Sequence, residues 1–371
     1  MKKLLILLAF LFSSFSSAQK LELKVFASDQ GGWPAGALCF FSNNKMTAFE
    51  DSLLVHYTCL GGSDIYDEMW LINAREQRLV VRAEMGNLLS TAILIDDVIY
   101  MTEFTESETV KIWRDQKGSL TSISIPPELK NSHLHDLASL GHELWFRYTN
   151  LSTRDHGEGV FENGQLKILP HRDVGYFYGA TSNAEMFIQK VRKAAPPHLV
   201  EKFPEEIEIR RAPDFLPVTV IKDQASDPAS PYMTLRNHTV LNHHFWAATA
   251  QTKDGIVIIL GDSLYHRDIN LSKNFKDIDY WPGTLSEDGH FIFRGTHRDG
   301  RIGLWILKDD VPELILTSHD EVHVGQQKTW VSSHTLFYCA PEYGEGGVYI
   351  GVGLDREDGQ QIGQGVVKIS L

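Results

Sequence analysis

The chain has 371 residues, 43% of them hydrophobic, and carries 48 acidic against 35 basic side chains, a formal net charge of −13. So acidic a balance excludes the class of protein that holds nucleic acid by neutralising phosphates with Lys and Arg. The length suffices for a large core, as two domains or as one large all-β domain, and beyond the N-terminus no segment approaches the roughly 18 to 20 consecutive apolar residues of a membrane helix.

The first residues read MKKLLILLAFLFSSFSSAQK: two lysines, an apolar run from Leu4 to Phe12, then small residues ending at Ala18. That order predicts a secretory signal peptide over residues 1–18, cleaved after Ala18, and a secreted or periplasmic protein. No cysteine follows the cleavage point, so no lipid anchor is indicated there. Residues 19–45, with LELKVFA from Leu21, read as an N-terminal strand and a lead-in. Cys39, Cys59 and Cys339 allow at most one disulfide. A bridge closing the loop of about 20 residues between Cys39 and Cys59 would contribute roughly 3 kcal/mol. Three buried thiols are the plainer expectation, and the spacing does not suggest zinc.

From residue 46 onward a repeat of about 45 residues organises the chain. Apolar runs begin at Leu53, Val98, Leu144, Met186, Phe245, Phe291 and Leu336. A second series carries a bulky residue at Trp70, Trp113, Phe161, Ile209, Ile258, Trp305 and Tyr349. Three consecutive apolar positions mark strands covered on both faces, since a strand with one wet face alternates. Further strand-like segments lie between them, as in RLVVRA from Arg78, LTSISI from Leu120 and ELILTS from Glu313. Each unit thus holds about four short strands, and such a sheet needs neighbours on both faces. Packing the units around an axis supplies them. The expected fold is all-β: a seven-bladed β-propeller of four-stranded antiparallel blades over residues 46–371. The C-terminal GVVKISL would provide the outer strand of the last blade and LELKVFA an additional strand at the same seam.

The sixth unit, LSEDGHFIFRGTHRDGRIGLWIL from Leu285 to Leu307, resembles the repeat of TolB-like and WD-repeat-like propellers. Ser286, Asp288, Gly289, Phe293, Arg298, Asp299, Gly300 and Trp305 carry the match, with Glu287 in place of the usual proline. The resemblance implies a propeller, and such propellers serve as envelope interaction proteins and as accessory domains of hydrolases.

Several short matches point to enzymes. HRDINLSKN from His266 looks like a kinase catalytic loop, but its asparagine comes one place late and neither a G-x-G-x-x-G loop nor D-F-G occurs. His319-Asp320-Glu321-Val322-His323 resembles H-E-x-x-H, which binds zinc only when a helix puts both histidines on one face; here a strand and a loop flank it. No G-x-S-x-G elbow occurs, and the Asp-box of sialidases is missed because Gly289 comes one place early.

Position within the repeat is more informative. In a propeller the connection from each outer strand to the next inner strand lies on the face where ligands meet the central funnel. The candidate rim residues are His133, His135 and Asp136, then Asp173, Tyr176 and Tyr178, then Tyr232, Asp279, Tyr280, Trp281 and Trp330. Aromatics and carboxylates together suit stacking on sugars or grasping a peptide, although aromatics also pack between blades. The insertion RKAAPPHLVEKFPEE from Arg192 lengthens a loop on the same face. The leading expectation is a binding module for a protein, peptide or carbohydrate. A hydrolase or lyase acting on a carbohydrate or lactone is the alternative, and a structural envelope interaction protein a second. No nucleic acid and no transmembrane segment are expected, no metal ligands are assigned, and the residues specify no cofactor, no catalytic group and no oligomeric state.

Overall fold

In the computed structural model of the chain the described residues are 23–28, 38–41, 46–49, 52–61, 64–73, 77–90, 92–140, 142–153, 156–162, 165–168, 175–180, 186–192, 204–211, 216–242, 244–262, 264–278, 283–324, 327–332, 341–344 and 346–371. Apart from a 3-10 turn at Pro127–Leu129, regular structure among them is β-strand. Among these residues no helix is long and apolar enough to cross a membrane.

The described strands pair antiparallel into seven sheets. The first runs from Leu38–Phe41 through Ser52–Gly61 and Asp64–Asn73 to Gln77–Arg82, with Thr47–Phe49 also paired to its second strand. The second has Leu88–Leu89 and Ile93–Ile95 innermost, then Val98–Phe104, Thr109–Gln116 and Ser119–Ile123. The third, fourth and fifth begin at Ser132–Leu140, Gly175–Ala180 and Tyr232–Leu241, the sixth at Phe275–Ile278 with Thr284–Leu285.

Strands in the middle of a sheet are buried on both faces where the apolar runs are longest: Gly255–Gly261 is buried over six of seven positions, and all nine residues of Gly347–Asp355 are buried. Side chains of adjacent sheets interlock in the gaps. Between the fifth and sixth sheets, Ala247, Ile256, Ile258 and Leu260 of the fifth share one buried cluster with Phe275, Phe293 and Trp305 of the sixth.

The innermost strands contact one another in a closed circuit. Thr47–Phe49 touches Ile93–Ile95, which touches Ser132–Leu140; Gly175–Ala180, Tyr232–Leu241, Thr284–Leu285 and Glu342–Gly344 follow, and the last returns to Thr47–Phe49. Hydrogen bonds cross the gaps, from Thr47 Oγ1 to the Ala92 carbonyl (2.8 Å), from the Leu134 amide to Thr109 Oγ1 (2.8 Å) and from Asn242 Nδ2 to the Ser286 carbonyl (2.6 Å). Antiparallel sheets closed in a ring about an axis define a β-propeller.

Three expectations are corrected or sharpened. GVVKISL is not outermost: its strand, Gln361–Ser370, pairs with Gly347–Asp355 on one side and with Leu23–Ser28 on the other, so the N-terminal strand forms the edge. Tyr349 stands in Gly347–Asp355, the strand next to the inner ones, rather than one place further out; the run at Leu336 lies outside the described residues. Cys59 is disulfide-bonded, and the residue directly opposite it across the antiparallel pair is Cys39, which overturns the reading of three thiols. Adjacent positions on paired strands bring Cα atoms to the separation that a bridge needs. Reduction should lower the unfolding free energy by roughly 3 kcal/mol, measured by urea denaturation with and without reductant. An unchanged midpoint would show that the bridge constrains little.

The repeat match in the sixth sheet has a local cause. Ser286 starts the turn into Phe291–His297: the Gly289 amide donates to its carbonyl (3.0 Å) and the His290 amide to its hydroxyl (3.0 Å). Gly289 has φ +80°, and a Cβ there would lie 2.7 Å from the Phe245 ring of the fifth sheet, so glycine is required twice over.

Candidate binding surface at the connection end

Consecutive strands run antiparallel, so each sheet has two distinct ends. One carries the turns between first and second and between third and fourth strands. The other carries the turn between second and third strands and the connections between sheets.

At the connection end of the first and second sheets, apolar side chains from separate segments converge. Leu60 stands opposite Ile65 across a strand pair. The Gly86 amide donates to the Ile65 carbonyl (2.9 Å), which sets Met85 beside that pair. Leu88 stands opposite Phe104, whose ring lies 5.5 Å from that of His133 on the third sheet. Leu60, Ile65, Met85 and Leu88 are 41%, 46%, 52% and 38% exposed, an apolar strip of a kind that marks interaction sites.

A buried polar frame holds this strip. Asp67 Oδ2 accepts from the Leu89 amide (2.8 Å) and lies 2.8 Å from His56 Nε2. Glu68 accepts from Arg82 Nε (2.6 Å) and Trp70 Nε1 (2.8 Å). Glu103 accepts from Asn87 Nδ2 (2.7 Å), the Glu84 amide (3.0 Å) and Trp113 Nε1 (2.8 Å). These carboxylates fix residues 83–89, the connection that carries Met85 and Leu88, so the surface is preorganised.

The residues nominated from the sequence fall as follows. His133 is partly buried, and its Nε2 is buried without a hydrogen-bond partner among the described residues. His135 Nε2 and Thr149 Oγ1 share a hydrogen bond of 3.0 Å. Asp136 sits in the same strand at the bulge between His135 and Ala138. Tyr176 stands opposite Lys190, and Tyr178 at a bulge in Gly175–Ala180. Trp330 pairs with Asp355, and the Lys328 ammonium lies 5.6 Å from its ring centroid. Tyr232 is buried, and its hydroxyl donates to Asp268 Oδ1 and Oδ2 (2.8 and 3.0 Å); burial and that bond hold its phenol well above the ordinary range. Asp173, Asp279, Tyr280 and Trp281, like most of the insertion after Arg192, lie outside the described residues.

HRDINLSKN forms the outer strand His266–Asn270 of the fifth sheet, and its three leading side chains have structural partners. The His266 ring lies 6.0 Å from Trp246, Arg267 donates from Nε and Nη2 to Asp310 Oδ1 (3.1 and 2.9 Å), and Asp268 receives Tyr232. His266 and Arg267 line a cavity of about 270 Å³ between the fifth and sixth sheets, at the end opposite the apolar strip. In His319–His323 the residues Glu321–Val324 are a strand, so the histidines do not share a helical face. Burial raises the Asp320 carboxyl above its usual range, while its Oδ2 accepts from the Thr317 amide (2.7 Å). Among the described residues no group of three or more His, Cys, Asp or Glu could hold a metal ion.

The apolar strip was missed from the sequence because its members stand beside separate turns, up to 20 positions from the next. Only the pairing of Leu60 with Ile65 was accessible, as apolar residues flanking Gly61-Gly62.

The fold defines a β-propeller protein. No protein-family model matches the chain, and no curated protein matches it. Solved structures do. An oligogalacturonate lyase in complex with manganese superposes with a TM-score of 0.59 at 10% identity, covering 95% of this chain and 96% of the lyase. A prolyl endopeptidase superposes with a TM-score of 0.51 at 9% identity over 92% of this chain, which spans about half, 53%, of the peptidase. At these identities the likeness is one of fold.

Proposed function

We propose that the chain is a secreted or periplasmic seven-bladed β-propeller that binds a protein or peptide ligand through the connection end of its ring. The apolar strip Leu60, Ile65, Met85 and Leu88 carries this reading, because a rigid exposed strip of large apolar side chains is the feature that protein ligands cover. The seven described sheets and the closed circuit of their inner strands support seven blades, with residues 46–371 supplying every described strand but Leu23–Ser28 and Leu38–Phe41. The disulfide at Cys59 accords with an oxidising compartment and with removal of residues 1–18 as a signal peptide. The match of Ser286 to Trp305 supports TolB-like ancestry for the repeat. Within this surface His133, His135, Asp136 and Trp330 are ligand contacts, as are Asp173, Tyr176, Tyr178, Asp279, Tyr280 and Trp281 where the rim continues around the funnel; Tyr232 supports the rim from behind.

One observation favours the second reading, a hydrolase or lyase on a carbohydrate or lactone: the ring superposes over 95% of its length on an oligogalacturonate lyase, with His133 the candidate proton-transfer group at the connection end.

The test is retention of envelope proteins by the immobilised mature chain, compared with the Ile65→Asp/Met85→Asp variant. The variant should lose roughly tenfold or more in affinity for the retained protein, given about 1.5 to 3 kcal/mol per buried apolar side chain. Its melting temperature should stay unchanged, since both residues are exposed. Equal retention sinks the binding reading at this surface. Cleavage of oligogalacturonate in the presence of manganese, lost in His133→Ala, would replace it with the enzymatic one.

A further inference from the structure

The outer strands of the ring are sheet edges, with backbone donors and acceptors on one side open to pairing. Six of the seven are blunted by a charge or a proline: Lys24 in Leu23–Ser28, Arg78 in Gln77–Arg82, Lys167 in Gln165–Ile168, Pro217 in Leu216–Lys222, Arg267 in His266–Asn270 and Pro312 in Val311–Thr317. Ser119–Ile123, the outer strand of the second sheet, reads SLTSI and has neither. Among the outer strands whose burial is described it is also the most open: its first four residues are exposed and only Ile123 is half-buried. Leu120 points an apolar side chain into solvent.

We propose that two copies of this chain pair through Ser119–Ile123, antiparallel about a two-fold axis at Thr121, joining their second sheets into one continuous sheet. The strand is self-complementary in that register. Thr121 meets Thr121, Leu120 meets Ser122, Ser119 meets Ile123, and beyond the strand Lys117 meets Ile125, so no charge faces a like charge. Thr–Thr and apolar cross-strand pairs of this kind are favourable. The same operation on His266–Asn270 would set Asp268 against Asp268, and on Leu216–Lys222 it would meet Pro217, which has no amide to donate. A two-fold contact of one patch with itself also closes at the dimer and leaves no free edge to propagate. The contact is short, so association is weak and depends on concentration.

The pairing is independent of the ligand-binding surface, and it is tested by the sedimentation mass of the mature protein. The native chain should move from one-copy to two-copy mass as concentration rises to roughly 300 μM, the range for an interface below standard size. Leu120→Lys/Ser122→Lys should remain at one-copy mass throughout. Two added lysines lessen the repulsion between acidic copies, so loss of the dimer in that variant reports the edge and not net charge. Val218→Lys/Val220→Lys, on the exposed outer strand of the fourth sheet, carries the same charge change and should dimerise as the native chain does. Native protein at one-copy mass over the whole range, a dimer surviving in Leu120→Lys/Ser122→Lys, or loss of the dimer in the control would each overturn the proposal.

Discussion

Glu103→Ala should lower the unfolding free energy by about 3 to 5 kcal/mol, the largest effect expected of a single polar substitution in this chain. Glu103 is 0% exposed, at the connection end of Val98–Phe104. Its two oxygens receive three donors: the Asn87 side chain, the Glu84 backbone amide and the Trp113 indole. Alanine would leave three donors unmet, that of Asn87 in a buried bond and the other two in part-buried ones, and each unmet buried donor costs about 1 to 3 kcal/mol. Part is recovered because burial of the carboxylate itself is no longer required. Glu103→Gln separates shape from charge. It fills the same volume, but its amide must turn an N–H group toward one of the donors, so about half of the loss should remain. The measurement is the urea midpoint at constant slope. A shift below about 1 kcal/mol for alanine would mean that water replaces the carboxylate and that the frame under Met85 and Leu88 is not dry.

The repeat was legible because its signal is burial. A strand between two neighbouring sheets must be apolar on both faces, and the runs at Leu53, Val98, Leu144, Met186, Phe245 and Phe291 fall on or beside the second strands of the first six sheets. The third-strand series from Trp70 to Trp305 falls as consistently. The seventh sheet broke the pattern at its seam, where VYIGVGL from Val348 is apolar over twice the usual length and so resembles either series. Which strand is outermost there depends on a partner 342 residues away, and no local pattern encodes that. Binding residues were less legible for a related reason. Aromatics such as Tyr232 signal burial as readily as contact, and here the hydroxyl is taken up by Asp268 on the outer strand of the same sheet. The strip of Leu60, Ile65, Met85 and Leu88 exists only after two sheets have met. HRDINLSKN shows the converse: a short string rich in reactive groups whose contacts, Trp246 for His266, Asp310 for Arg267 and Tyr232 for Asp268, lie in three other segments.

Deleting the N-terminal strand is the second large effect. A chain beginning at Asp29 lacks Leu23–Ser28, which pairs with the C-terminal strand at Ile369, Lys368, Val367, Val366 and Gly365. That pairing fastens the first part of the chain to the last, the step that closes the ring. Losing around five net hydrogen bonds should cost about 5 kcal/mol. The cost is moderated at one point, where Lys24 stands opposite Lys368, whose ammonium lies 5.2 Å from the Tyr349 ring centroid. The exposed strand would be Gln361–Ser370, in which Val366, Val367 and Ile369 are fully buried in the intact ring. An edge so apolar recruits other chains. The truncated protein should therefore melt earlier and scatter light on standing, and a synthetic peptide spanning Leu21 to Ser28 should restore both properties when added in excess. Were the C-terminal strand itself the natural edge, truncation would change the melt little and the peptide would have nowhere to bind.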